Sequence, residues 1–176
     1  MTPDEFTVRT AGIAYAHRGA FFSELYQFAK LCDEAGVTRI IESGVFHGVS
    51  TRVFRALWPG RVTSIEARPA NVPDDLPGVE IGDGKVLVPA RVAQYADEAV
   101  GVFIDGPKGG TGTFLRQWCL LQPNVKVVAQ HDSPVGSGEA FHSADGSFGQ
   151  LDDRIDPVVR AMYAPQGCPG MGVWIK

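Results

Sequence analysis

The stretch Arg39-Ile40-Ile41-Glu42-Ser43-Gly44-Val45-Phe46-His47-Gly48-Val49-Ser50-Thr51 decides the predicted fold. It combines a short apolar strand, an acid at the end of that strand, a turn with two glycines, and a Ser-Thr pair where a helix begins. A second apolar strand ends on Glu66, 22 residues after Gly44. This order of elements is typical of a nucleoside-cofactor site, because the turn lets a ligand approach the backbone and the second acid binds the ribose hydroxyls.

The places of the glycines argue against a dinucleotide cofactor. A dinucleotide turn has glycines at its first, third and sixth places, so that the backbone can approach the pyrophosphate and the helix can pack on the strand. Counting from Gly44, the third and sixth places are Phe46 and Val49. A bulky phenylalanine where the pyrophosphate should lie makes NAD or FAD a poor fit.

The spacing of Glu42, Gly44, Gly48 and Ser50 resembles motif I of the class I S-adenosylmethionine-dependent methyltransferases, particularly the branch of the catechol and caffeoyl-CoA O-methyltransferases. The resemblance covers about residues 38 to 133. It implies S-adenosylmethionine (SAM) as the cofactor, which carries an adenosine but no phosphate, so that the turn must offer room rather than an anion site. A tight strand-to-helix turn with no ligand is the alternative interpretation.

The rest of the chain alternates apolar strands with amphipathic helices, which predicts an α/β fold: a Rossmann-like, doubly wound, mostly parallel sheet with helices on both faces. The resemblance implies an antiparallel last strand. Strands are predicted over residues 37–43, 61–66, 79–84, 99–105, 125–130 and 171–175, and a surface loop over 68–78. Helices are predicted over residues 20–35, 50–58, 113–122 and 156–163. A further helix is predicted to have Pro89 in its first turn and to continue toward Asp97.

One domain is the simplest organisation for a chain of this length. We expect residues 1–176 to form a single Rossmann-like methyltransferase domain, in which 1–36 are an N-terminal segment and helix. Residues 133–150 are rich in Gly and Ser and are predicted to be a mobile active-site loop.

Each of the first five predicted strands has an acid at or within two residues of its end. Ligands of doubly wound sheets bind beyond the carboxyl ends of the strands, so these acids share the expected ligand-binding rim. A cluster of this kind favours a ligand that carries hydroxyls, an amine or a cation. The acids are Glu42, Glu66, Asp83, Asp105 and Asp132.

The resemblance also implies roles in cofactor binding. Glu66 would accept from the ribose hydroxyls, and Ser50 would meet the methionyl carboxylate at the start of a helix. Asp83 is placed to bind the adenine amine, although Asp is also a common helix cap. The full set of predicted cofactor-binding residues is Glu42, Gly44, Gly48, Ser50, Glu66, Asp83 and Asp105.

The catalytic roles rest on the same resemblance. In the catechol and caffeoyl-CoA branch the fourth strand ends in a metal-binding Asp with a basic Lys three residues later, and the fifth strand ends in Asp-Asn. Asp105 and Lys108 match the first pair, and Asp132 matches the first residue of the second, with Ser133 in place of Asn. The predicted catalytic residues are Asp105, Lys108 and His131. Asp105 and Asp132 are the predicted ligands of Mg²⁺ or another divalent cation, and the need for a metal stays open.

Composition narrows the class of partner. A net charge of -4 with scattered Lys and Arg argues against nucleic acid as the main substrate. No apolar run reaches the ~20 residues that span a bilayer, and the first residues lack the features of a signal peptide, so a cytoplasmic protein without a membrane partner is expected. The expected partner is a small-molecule acceptor, and a homodimer stays open.

Two other functions fit the same pattern. One is a non-methylating enzyme on this fold, such as a lyase, a hydroxylase or a nucleotide-linked enzyme, because a fold does not determine chemistry. The other is a cofactor-binding protein without catalysis, which the Ser at position 133 and the short chain favour.

Overall fold

The computed structural model describes residues 1–14, 22–131 and 171–176. Within them six strands are present: β1 (Arg39–Ser43), β2 (Val62–Glu66), β3 (Glu80–Ile81), β4 (Val100–Ile104), β5 (Val125–Gln130) and β6 (Gly172–Ile175). The helices are α1 (Pro3–Arg9), α2 (Phe22–Glu34), α3 (Val49–Leu57), α4 (Gly84–Gln94) and α5 (Gly109–Leu121), with a 3₁₀ turn at Pro69–Asn71.

The strands form one sheet in the order β3-β2-β1-β4-β5-β6. The first five strands run parallel, and β6 pairs antiparallel with β5. Chain order reverses between β1 and β4, so the carboxyl ends of these two central strands flank the point where ligands of such sheets bind. The predicted mostly parallel sheet with an antiparallel last strand is confirmed.

The two faces of the sheet carry separate apolar cores. Ile40 of β1 packs in a cluster with side chains of α2 and α3, whereas the neighbouring Ile41 packs in a cluster with α4 and α5. Alternate residues of a strand point to opposite faces, so a strand buried on both sides must be apolar throughout. All five residues of β4 are buried accordingly.

Three aromatic rings join the first of these cores to the sheet. Phe28 of α2, Phe54 of α3 and Phe103 of β4 are fully buried, and their ring centroids lie 5.1 to 5.4 Å apart in edge-to-face contacts. This geometry is the favoured one for aromatic pairs. It fixes α2 and α3 against the central strand whose carboxyl end enters the candidate site.

Helix α4 begins earlier than its sequence predicts. Pro89 is its sixth residue rather than part of its first turn. The side chain of Asp83 accepts a hydrogen bond from the backbone N–H of Lys85 and so starts the helix at Gly84. Val88 and Val92 are buried on the sheet, which favours a continuous helix despite the proline.

Three other predictions are corrected or extended. Helix α5 begins at Gly109, four residues before the predicted start, and the predicted loop 68–78 contains the 3₁₀ turn. Helix α1 was not predicted, although Thr2, Pro3 and Glu5 form a capping box with a proline in the first turn.

Several predictions lie outside the described residues: the helix over 156–163, the loop over 133–150, Asp132 and Ser133. Among the helices in the described ranges, none has the length and apolar character that crossing a bilayer requires.

Candidate functional site

A pocket lies at the carboxyl ends of β1, β2 and β4. It has a volume of about 90 Å³ and is open to solvent. It is lined by Ser43, Gly44, Ile65, Glu66, Ala67, Gly82, Asp83, Gly84, Gly106 and Pro107. Three of the predicted cofactor-binding residues, Gly44, Glu66 and Asp83, therefore line one pocket.

The glycine turn, residues 44–48, connects β1 to α3, and its first residue, Gly44, lines this pocket. Gly44 has a φ of +94°, and a Cβ there would lie 2.7 Å from the backbone N of Gly106 and 2.8 Å from the carbonyl C of Asp105. Gly48 has a φ of +74°, and its Cβ would lie 2.7 Å from a methyl group of Leu76. At Gly44 a side chain would collide with backbone atoms, which cannot give way, whereas at Gly48 the close atom is the end of a flexible side chain and the left-handed φ is what favours glycine.

Ser43 belongs to the site, although sequence analysis did not single it out. Its hydroxyl donates to the carbonyl oxygen of Gly106, and its own carbonyl oxygen accepts from the N–H groups of Asp105 (2.7 Å) and Gly106 (2.9 Å). These bonds fasten the turn after β4 to the end of β1. Its place between a strand-end acid and the first glycine was a signal that could have identified it.

Glu66 is the acid at the end of β2, and it is 6% exposed. One carboxylate oxygen, Oε2, accepts from the N–H groups of Val45 (2.9 Å) and Phe46 (3.2 Å) in the glycine turn. The other, Oε1, accepts from the N–H of Arg68 (3.0 Å) and the amide of Asn71 (3.3 Å). Burial by itself would raise the pKa of Glu66, but these four hydrogen bonds outweigh it and lower the pKa below its ordinary value.

Glu42 and Ser50 lie beneath the glycine turn and contact each other. Both are buried, and the carboxylate of Glu42 accepts from the hydroxyls of Ser50 and Thr51 (2.6 Å for Thr51). Burial raises the pKa of Glu42 to about 7, against the opposing effect of these hydroxyls. In the described structure the two side chains join the end of β1 to the first turn of α3, and neither lines the pocket.

Asp83 combines the two roles that its sequence position suggests. It caps α4 through its bond to the Lys85 N–H (2.9 Å), and together with Glu66 it also lines the pocket. One carboxylate oxygen accepts this bond, and a carboxylate has further acceptor capacity for a ligand.

A second cluster follows β4 and β5, and it brings together the three predicted catalytic residues. Asp105 Oδ1 is contacted by Lys108 Nζ and lies 2.8 Å from His131 Nδ1. His131 Nε2 lies 2.9 Å from Oε2 of Glu24 on α2. The side chains of His131 and Glu24 are buried, at 8% and 5% exposed, whereas that of Lys108 is 51% exposed. Lys108 is therefore the member of the cluster that a substrate can reach most easily.

Glu24 is the residue of this cluster that sequence analysis missed. It precedes His131 by 107 residues, and its place one helical turn before the buried Phe28 was a local signal that it lies on the buried face of α2. Only the folded chain places its carboxylate against the imidazole.

The predicted metal site consists of Asp105 and Asp132. Asp105 is described, and the oxygen of its carboxylate that faces the cluster is engaged by Lys108 and His131. Within the described ranges, no three His, Cys, Asp or Glu residues are grouped as metal ligands require. Because Asp132 lies outside those ranges, the pair Asp105 and Asp132 stays a prediction.

The chain has the fold of known S-adenosylmethionine methyltransferases. It is similar to the O-methyltransferase from Bacillus cereus, solved in complex with SAH, with a TM-score of 0.51 and 18% identity over 98% of this chain and 90% of that one. A provisionally assigned caffeoyl-CoA O-methyltransferase from Staphylococcus aureus aligns with a TM-score of 0.49 and 17% identity, over 98% of this chain and 90% of that one.

At these identities the similarity concerns the fold alone. No family model matches the chain, and no curated protein matches its sequence. The predicted class of fold is thereby confirmed, and the chemistry must be argued from the site.

Proposed function

We propose that this protein is a SAM-dependent methyltransferase that transfers a methyl group to a hydroxyl of a small molecule. One observation carries the proposal: the pocket that contains Glu66 and the cluster that contains Lys108 share a wall. At that wall the backbone of Gly44 packs against that of Asp105 and Gly106. A nucleoside held on one side and a nucleophile held on the other would therefore meet at the central strands.

The cofactor would bind along the glycine turn. Glu66 would accept from the ribose hydroxyls and Asp83 from the adenine amine, because a carboxylate is the strongest acceptor for such donors. Gly44 and Gly48 would give the backbone room. Glu42 and Ser50 would support the turn from beneath and hold the start of α3, whose N–H groups suit the methionyl carboxylate.

The chemistry needs little besides placement and removal of one proton. The acceptor oxygen forms a bond to the methyl carbon, the carbon–sulfur bond breaks, and its electron pair stays on sulfur as the thioether leaves. The hydroxyl proton passes to the nitrogen lone pair of a neutral Lys108, the most exposed member of the cluster, or of a neutral His131, and the carboxylate of Asp105 stabilises the cation that forms. Holding the reactants in line is the larger contribution of the protein.

The acceptor belongs to the same proposal. The proposal takes the acceptor to be a small hydroxylated molecule and the protein to be cytoplasmic. It also gives Mg²⁺ or another divalent cation a role at Asp105 and Asp132. These three points rest on the sequence and its resemblance to the methyltransferase family. A bound divalent cation would acidify a substrate hydroxyl.

Calorimetric titration with S-adenosylhomocysteine (SAH) tests the cofactor. Saturable heat is the expected result, and no heat and no thermal shift at millimolar ligand would refute it. Incubation with a labelled methyl donor and a panel of catechols, phenols and sugars then tests the reaction. Methylated product supports it, donor cleavage without methylated product points to another enzyme on this fold, and binding without any turnover points to a non-catalytic protein.

The variant Asp105→Asn separates binding from chemistry. It keeps the shape of the side chain and removes its charge, so SAH should bind nearly as well while turnover falls. Full activity of this variant would place the active site elsewhere.

A further inference from the structure

The carboxylate of Glu66 has no acceptor capacity left over. An ionised carboxylate offers about four lone-pair sites on its two oxygens. In this structure Oε2 accepts from two backbone N–H groups of the glycine turn, and Oε1 accepts from Arg68 and Asn71. A ribose that donates its hydroxyls to Glu66 must therefore replace at least one of these four donors.

The glycine turn is the donor segment under conformational strain. Phe46 has a φ of +48°, the left-handed region, which a residue with a Cβ adopts only at a cost. It is the only non-glycine residue with a positive φ in the described ranges. Phe46 is 41% exposed, and its ring contacts that of His47, a neighbour within the same turn, with ring centroids 3.9 Å apart.

From these two observations we infer that the glycine turn and the ribose of the cofactor compete for Glu66. Binding of the ribose releases the N–H groups of Val45 and Phe46 from Oε2, and Phe46 leaves its left-handed conformation as the turn moves. The inference rests on the proposed function. It makes Phe46, which no sequence motif marks as a ligand contact, a residue that sets the affinity for the cofactor.

The donors to the two carboxylate oxygens of Glu66 are not equally easy to replace by a ribose hydroxyl. The N–H of Arg68 belongs to the chain that immediately follows Glu66, and Asn71 lies in the 3₁₀ turn just after it, so both move with β2. The glycine turn belongs to β1 and α3 instead. Its movement relieves the strain at Phe46, whereas movement of Asn71 relieves none.

A matched pair of variants at position 46 tests the competition. Phe46→Gly and Phe46→Ala both remove the ring, but only glycine adopts the left-handed conformation without cost. Glycine therefore stabilises the form of the turn that holds Glu66, and a ligand must work against it. Calorimetry should show SAH bound about 5-fold more weakly by Phe46→Gly than by Phe46→Ala.

Three results would overturn the competition. Equal affinities of the two variants, or tighter binding by Phe46→Gly, would show that the turn does not move. Tighter binding by Asn71→Ala, with no difference within the pair, would make Asn71 the donor that the ribose replaces. A crystal structure with SAH in which Oε2 still accepts from both turn amides would contradict it directly.

If the proposed function itself is wrong, calorimetry gives a different result. In that case the parent protein and every variant leave SAH unbound, and the inference fails with it. A parent protein that binds SAH, with no difference between the paired variants, refutes the competition and leaves the proposed function standing.

Discussion

Glu66 and Asp83 face the same pocket but are held differently. Glu66 accepts four hydrogen bonds from the chain, and Asp83 accepts one from the first turn of α4. The same replacement of a carboxylate by an amide should therefore have unequal effects at the two positions.

We expect Glu66→Gln to weaken SAH binding about tenfold, roughly 1.4 kcal/mol, because an amide has one acceptor oxygen and makes no charge-assisted bond. The matched control is Asp83→Asn. Asparagine caps a helix as well as aspartate, and the second lone pair of its oxygen can still accept from the adenine amine, so the loss should be much smaller. Calorimetry on both variants measures this, and equal losses would show that Glu66 has no special role in holding the ribose.

A pH-dependent contribution to stability is expected from Glu42. Its pKa is about 7 in the folded protein and ordinarily 4.5. Between these values the folded protein binds the extra proton, so the free energy of unfolding falls as pH rises from 4.5 to 7 and is level above that. The change amounts to about 3 kcal/mol.

Glu42→Gln should remove this part of the pH dependence, because an amide does not titrate. Urea unfolding of the parent and the variant between pH 5 and pH 8 measures the difference. Two parallel profiles would contradict the raised pKa of Glu42.

At the scale of elements, two turns from distant parts of the chain meet without side chains between them. The glycine turn after β1 and the Asp105–Gly106 turn after β4 approach so closely that a Cβ on Gly44 has no space. Gly60, between α3 and β2, also has a positive φ of +71°, but no atom lies within 4 Å of the place its Cβ would take.

The pair Gly44→Ala and Gly60→Ala separates backbone strain from collision. Both variants should lose about 1 kcal/mol from the left-handed conformation. Gly44→Ala should lose roughly 1 to 3 kcal/mol more, because the two turns must part. Urea unfolding measures the free energy of unfolding of both variants. Equal losses would mean that the two turns can move apart at no cost in stability.

The elements show why sequence predicts some boundaries and not others. β5 was predicted with its observed limits because an apolar run between Pro123 and His131 leaves little choice. The start of α4 was misplaced because the rule for proline outweighed the cap at Asp83. The contact between Glu24 and His131 could not be predicted, since it depends on how α2 lies across the sheet and not on any local pattern.

At the scale of the whole molecule, ligand binding and stability are linked. A ligand that binds only the folded protein stabilises it by about 2.7 kcal/mol at 100 times its Kd. For a chain of this size that corresponds to a rise in Tm of roughly 5 to 10 °C.

We expect SAH to produce such a rise and NAD⁺ at the same concentration to produce none. NAD⁺ needs glycines where this turn has Phe46 and Val49. Thermal unfolding followed by calorimetry measures both ligands. A comparable rise in Tm with NAD⁺ would show that the turn accepts a pyrophosphate, and a dinucleotide would again be an expected cofactor.

The central position of β1 and β4 has a consequence during synthesis. The glycine turn leaves the ribosome well before β4, yet the wall it shares with Asp105 and Gly106 exists only after β4 has paired with β1. A nascent chain that ends before residue 100 therefore carries the glycine turn without the wall of the pocket that Gly106 and Pro107 supply. A ligand that needs this wall cannot assist the first half of folding, and it binds only chains whose two central strands have already paired.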